Sequence, residues 1–236
     1  MININLDTNK ELKEGLLRLG FKKKCGSFLR DYNESLQELG MPYATHGEKQ
    51  TRYYGCSCGF SYPEASSIAE EIGVMLCSTG GNAGYVIPQR NFFFQKPKYQ
   101  YLENWKITSV DSDRYVHRLV CKILSQIETY VIPHLNMFGT KEAFIDILEN
   151  NPQKCTFSYD RKLPPILYYL MGDKEKAERY IKMTLEEYKK KEENRKTGIE
   201  ITETKEYWSI SYTGGSSYKS YLEFAEKFTA YMDKQQ

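Results

Sequence analysis

The pattern of apolar residues predicts an α+β protein. An antiparallel sheet from the first half is covered by helices, the second half is helical with one helical hairpin, and a small strand-and-helix tail follows. Three observations carry this expectation. Residues 51–60 alternate with period two, placing Tyr54, Cys56, Cys58 and Phe60 on one face of a strand. Val116, Leu119, Val120, Ile123, Leu124, Ile127, Tyr130 and Val131 step by three and four, the spacing of a long amphipathic helix. Between Leu163 and Tyr188 two such stripes are joined only by Gly172 and Asp173, which predicts an antiparallel helical hairpin.

The elements follow in order. Leu12, Leu16 and Leu19 mark an opening helix that Gly20 stops. Phe21 to Tyr32 reads as two short strands around a turn at Gly26, the first weakened by Lys22, Lys23 and Lys24. In the 51–60 strand, Gly55 and Gly59 mark close approach by a neighbouring backbone. Pro63 opens a helix that reads to Ile72. Val74 to Cys77 reads as a short buried strand, and Thr79 to Gly84 as a loop. The aromatic runs Phe92-Phe93-Phe94 and Tyr99 to Leu102 are interrupted by Pro97. Asp111 or Asp113 is expected to cap the long helix, and Pro133 to end or kink it. Thr140 precedes a shorter helix with Phe144 and Ile147 on one face. Glu192 to Lys196 reads as a polar linker, which divides the chain into a main domain at 1–192 and a tail at 193–236 that packs on it. The tail reads as strands at 199–202 and 207–212, a Gly214-Gly215 turn, and a last helix carrying Tyr218, Tyr221, Leu222, Ala225, Phe228 and Met232.

Composition bounds the function classes. The chain has 236 residues, 40% of them apolar and 27% charged, enough to bury a core without covalent staples. Its 33 basic and 31 acidic residues leave a net charge of +2, without the basic excess of a domain built on a phosphate backbone. The run Lys189-Lys190-Lys191 is followed by Glu192 and Glu193 and reads as a solvated helix face. Neither a signal peptide nor a membrane-length apolar run is readable, and six irregularly spaced cysteines do not form a secreted disulfide framework. Cytoplasm, no membrane, no nucleic acid and no cofactor are the resulting expectations.

No catalytic, phosphate-binding or dinucleotide signature is present. The loop Gly80-Gly81-Asn82-Ala83-Gly84 lacks the lysine and hydroxyl of a phosphate cradle. Cys56 and Cys58 are the first metal-ligand candidates, with His46 or Cys25 as a third donor. Structural zinc needs a second close pair that the sequence lacks, so both thiols are expected to pack in the core. His117 is expected on a helix flank, and His134 near a helix end where a cation favours the dipole. The 20 tyrosines are the compositional oddity. Tyr99, Tyr101, Tyr207, Tyr212, Tyr218 and Tyr221 are the candidates for an interface, against the plainer reading that they line the core.

Several short motifs carry a resemblance. Leu19-Gly20-Phe21-Lys22-Lys23-Lys24 with Ser27-Phe28-Leu29-Arg30, Gly59-Phe60-Ser61-Tyr62-Pro63, Tyr130-Val131-Ile132-Pro133-His134-Leu135, and Leu170-Met171-Gly172-Asp173-Lys174-Glu175-Lys176-Ala177 occur in that order. Together, over about residues 10–190, they resemble the bacterial domain of unknown function 4304 family. The resemblance implies no assigned activity and no catalytic residues. By analogy it points toward proteins of bacterial toxin-immunity systems. The leading expectation is therefore a non-enzymatic protein that binds another protein through a surface of tyrosines and acidic residues. An immunity-like inhibitor is one form of it. An enzyme with a dispersed site, or a scaffold using the helical hairpin, are the alternatives.

Overall fold

Asn9 accepts from the Leu12 amide and caps α1 (Lys10–Arg18), whose Leu12, Gly15 and Leu16 are buried. Gly20 follows with a φ of 90°, the left-handed conformation that ends the helix. The computed structural model describes residues 6, 9–46, 51–89, 98–99, 105–108, 110–193, 199–203, 208–212 and 216–234. The chain forms two compact units, one of residues 1–66 and 77–160, the other of 67–76 and 161–236.

In the first unit, β1 (Lys22–Lys24) and β2 (Ser27–Tyr32) form the expected hairpin. Cys25 and Gly26 both take positive φ in its two-residue turn, as a twisted hairpin requires. Then come β3 (Ser35–Gly40), β4 (Tyr43–His46), β5 (Thr51–Tyr54), β6 (Ser57–Ser61) and, after α2 (Pro63–Glu71), β7 (Thr79–Asn82). One antiparallel sheet has the order β1-β2-β3-β6-β7. The short strands β8 (Pro88–Gln89) and β9 (Lys98–Tyr99) pair with each other, and β10 (Trp105–Ile107) completes a second antiparallel sheet ordered β10-β5-β4.

The 51–60 strand is thus two strands in two sheets. Tyr54, Cys56, Cys58 and Phe60 are all buried, as the apolar face requires, but Thr51, Gly55 and Gly59 are buried too, and the backbone changes sheets at Gly55 and Cys56. Val74 to Cys77 forms no strand, and Met75 is 79% exposed. Thr79 to Asn82 is a strand and not a loop, since its glycines pair with β6. Gly59 and Gly80 face each other there, and a Cβ on Gly59 would stand 2.6 Å from the Thr79 carbonyl oxygen. That contact is the close backbone approach expected of Gly59.

Across the first sheet, Phe28, Leu39, Cys58 and Gly81 fall in one register row on the buried face. The next row inward-facing is Arg30, Gln37, Phe60 and Thr79. Helices cover this face. The run begins with α3 (Asp113–Gln126), passes through a π-helical turn at Ile127–Val131 and continues as α4 (Ile132–Asn136). Ser112, not Asp111 or Asp113, caps it, accepting from the Tyr115 amide, while Asp111 accepts from the Thr108 amide. Pro133 does not end the helix. The preceding turn widens, and the Ile132 amide reaches back to the Ile127 carbonyl, five residues away. Phe138 then stacks on Phe60 with centroids 4.7 Å apart, and Phe144 of α5 (Lys141–Asn150) meets the same ring edge-on at 5.5 Å.

The second unit contains the helical hairpin α6 (Leu163–Leu170) and α7 (Lys174–Glu193), the strand pair β11 (Ile199–Glu203) with β12 (Trp208–Tyr212), and α8 (Ser216–Lys234). Asp173 accepts from the Lys176 amide and so caps α7. Leu163, Ile166 and Leu167 of α6, Ala177 and Ile181 of α7, and Phe224, Phe228 and Met232 of α8 are buried. Lys189, Lys190 and Lys191 are exposed, as a solvated face requires. The polar stretch from Glu192 begins as the end of α7, and both α7 and α8 belong to this unit. Gly214 and Gly215 lie outside the described residues. No described helix is long and apolar enough to cross a membrane.

Candidate functional site

Cys56 and Cys58 are buried to 0% and 3% exposure. Cys58 sits in the row with Phe28 and Leu39, so its sulfur belongs to the wall of the core. Burial pushes the Cys56 thiol up to about 12 and the Cys58 thiol well above its ordinary value. Zinc and nucleophilic chemistry both use the thiolate, and this environment opposes it. The Cys56 thiol donates to the Ser57 carbonyl at 3.7 Å. His46, the proposed third donor, ends β4 opposite Thr51, in the second sheet and not in a polar loop.

The tyrosine candidates separate. Tyr221 is buried against Phe224 and Tyr188, with centroids 5.4 Å from each, so it belongs to the core of the second unit. Tyr218 is half-buried. Tyr99 lies in β9 and Tyr212 in β12, while Tyr101 and Tyr207 lie outside the described residues.

Sequence reading missed a convergence of three donors on the first unit. Helix α1 lies against α3, and Gly15 permits the approach, since a Cβ there would stand 2.3 Å from Leu124 Cδ1. One turn earlier on α1, Glu11 reaches across to α3. Its Oε1 is 2.7 Å from His117 Nδ1 and 3.8 Å from the Cys121 sulfur. His117 Nε2 is in turn 3.8 Å from that sulfur. His117 and Cys121 are four residues apart on one helix, so they share a face. Ligand atoms of all three lie within 4.8 Å of one another, and among the described residues no other group of three His, Cys, Asp or Glu side chains does so. Cys121 and His117 are exposed and Glu11 is half-buried.

A carboxylate, an imidazole and a thiol in series is also the order in which a nucleophilic cysteine is activated. Acyl transfer further requires N–H donors aimed at the developing oxyanion. The amides of residues 117–121 are engaged inside α3, so the helix surface around Cys121 offers none.

Other polar groups serve the frame. His134 is held between Phe138 and Phe157, with its Nε2 3.2 Å from the Thr156 hydroxyl, and burial lowers its pKa. It is therefore a packed neutral ring, not the helix-end cation expected. It lies 17 residues beyond His117 on the continuous helical run, a separation of about 25 Å at 1.5 Å per residue. Lys141 is almost fully buried and joins Glu34 at 3.1 Å to Glu64 at 2.7 Å, tying the β2–β3 turn to the start of α2. Arg30 lies over the rings of Phe21 and Tyr32 and donates to Gln37 and Asn136.

Among the described residues of the first unit, two surfaces are open. A shallow groove of about 360 Å³ opens at the first sheet, lined by Glu38, Ser57, Cys58, Gly59, Ser78, Gly80 and Gly81. The second surface is the β4 margin of the second sheet. Tyr43, Ala44 and Thr45 are exposed, Tyr43 to 44%, and the Arg52 guanidinium lies over the Tyr43 ring at 4.6 Å. At the hairpin of the second unit, the groove beside Met171, Gly172, Asp173, Lys174, Glu175 and Glu178 is lined chiefly by charged side chains. A scaffold built on an apolar hairpin groove finds no support there.

No family model matches the chain, and neither a curated protein nor a solved structure matches it.

Proposed function

We propose that the protein is a non-enzymatic binding protein that receives an extended, acidic segment of a partner protein along β4. One observation carries this reading. Among the described residues, two outer strands differ: β1 presents three exposed lysines, whereas β4 presents Tyr43, Ala44 and Thr45, exposed and without a charge among them. A lysine-lined margin resists strand addition, and an outer strand without such guards is a template for it. The sequences of β4, β5 and β10 contain Arg52 and Lys106 and no carboxylate, which favours an acidic partner strand. Tyrosine and arginine together are residue types that anchor protein interfaces.

An immunity-like role in a bacterial toxin system, and membership of the family that the sequence motifs resemble, are the finer parts of this proposal. In that form the partner is a toxin whose activity the complex suppresses.

The test is a stoichiometric complex recovered from the native host. It should persist in Lys23→Glu, on the guarded margin, and disappear in Ala44→Lys, which puts a charge on the open one. A complex indifferent to Ala44→Lys, or the absence of any stoichiometric partner, overturns the proposal.

A further inference from the structure

We propose that Glu11, His117 and Cys121 form a binding site for one zinc ion that fastens α1 to α3. The donor set is one carboxylate oxygen, one imidazole nitrogen and one thiolate sulfur, a combination that suits zinc among the common divalent ions. Bonds of about 2.0–2.3 Å in a tetrahedron place neighbouring ligand atoms about 3.3–3.7 Å apart. One ligand atom from each residue lies within 4.8 Å of the other two, and the Glu11 carboxylate and Cys121 sulfur stand 3.8 Å apart, so side-chain rotations that draw the three donors inward admit the ion. Helical spacing of four presets the His117 and Cys121 pair, as in metal sites carried on one helix. Gly15 sets the distance across the seam by letting α1 settle on Leu124. Three protein ligands leave the fourth position to water, and the exposure of Cys121 and His117 gives the ion an open approach.

The site differs in each respect from the cysteine pair that sequence first offers. Cys56 and Cys58 are buried and protonated, whereas Cys121 is exposed beside an imidazole. Binding displaces the thiol proton to solvent and breaks the Glu11–His117 contact in favour of two bonds to the ion.

The experiment uses the full chain, stripped with chelator and titrated with Zn²⁺ by calorimetry and with Co²⁺ by absorption. One equivalent of Zn²⁺ should bind. Co²⁺ should give the intense visible bands of a tetrahedral ion together with a thiolate charge-transfer band. His117→Ala and Cys121→Ser should each weaken zinc at least about tenfold, and Cys121→Ser should remove the charge-transfer band. Glu11→Gln should weaken zinc while keeping that band. Cys77→Ser, an exposed cysteine outside the site, should change nothing. Zinc should also slow amide exchange in α1. All four positions are on the surface or half-exposed, so the variants remain folded, which circular dichroism checks. No zinc uptake, or uptake that survives both His117→Ala and Cys121→Ser, overturns the proposal.

Discussion

Two groups of cysteine-containing side chains in the first unit have opposite histories. Cys56 and Cys58 are neighbours in sequence and share one face, yet they end inside the core with their thiols held neutral. Glu11 and Cys121 stand 110 positions apart, and tertiary packing alone brings them with His117 to the surface. The lesson is that closeness along a strand measures shared burial, while ligand geometry comes from helices that meet. Alternation within β6 sent Cys58 inward with Phe60, and Cys56 is buried at the break between β5 and β6. The helix placed His117 and Cys121 on a flank beside the buried stripe of Val116, Leu119, Val120 and Ile123.

The largest effect expected from this contrast lies at the buried pair. Phe60 is fully buried two residues from Cys58 and stacks on Phe138. Phe60→Ala should cost about 3–5 kcal/mol, read from urea unfolding at constant m. A loss below 1 kcal/mol would mean that this face is not the core, and the case for inert cysteines would fall with it.

Next is the seam itself. Gly15→Val places a side chain where Leu124 now sits. Overpacking of this kind costs about 1–3 kcal/mol. It should also part Glu11 from His117, visible as a change in the His117 imidazole signals by NMR. Unchanged stability and unchanged signals would show that α1 does not lie on α3 through this glycine.

The buried thiols supply a pH test. The folded pKa of Cys56 is raised to about 12 from an ordinary value near 9. In that window the unfolded chain has lost a proton that the folded chain keeps. The stabilisation is therefore complete below pH 9 and is lost as pH rises toward 12. Each such thiol contributes a slope of about 1.4 kcal/mol per pH unit. The difference between the native chain and Cys56→Ala, followed by denaturant unfolding from pH 8 to 11, should show it. Parallel curves would place Cys56 in contact with solvent.

The surface group should respond least. Glu11 and His117 are 39% and 61% exposed, so their pairing adds little to folding. Glu11→Gln and Cys121→Ser should each move stability by no more than about 0.5 kcal/mol without metal. A larger loss would make the cluster part of the frame.

Much of this architecture is readable in residues. The Cys25-Gly26 turn, the α1 stop at Gly20, the stripe of α3 and the Gly172-Asp173 joint of the hairpin all carry local signals that the structure obeys. The failures have a common cause, which is pairing between distant strands. Thr79 to Asn82 has the composition of a loop and becomes β7 because Gly59 of β6 lies opposite Gly80. The break between β5 and β6 leaves Tyr54, Cys56, Cys58 and Phe60 all buried, so periodicity cannot reveal it. Ser35 to Gly40 and Tyr43 to His46 are strands without strong apolar runs, fixed by their neighbours. Of the candidate metal site, the sequence places His117 on a helix flank but does not single out Cys121 four residues on. Nor does it single out Glu11, because only the approach at Gly15 selects it from the many glutamates in the chain.

The most direct measurement compares five of the six cysteines in one sample. Native protein is pulsed with an alkylating reagent, with and without Zn²⁺, and each site is quantified by mass spectrometry. Cys25, Cys77 and Cys121 should react freely, and Cys56 and Cys58 more slowly by roughly a thousandfold or more, as groups that react only through opening of the core. Zinc should protect Cys121 and leave Cys25 and Cys77 unchanged. Ready labelling of Cys56 or Cys58, or their protection by zinc in place of Cys121, would contradict the account.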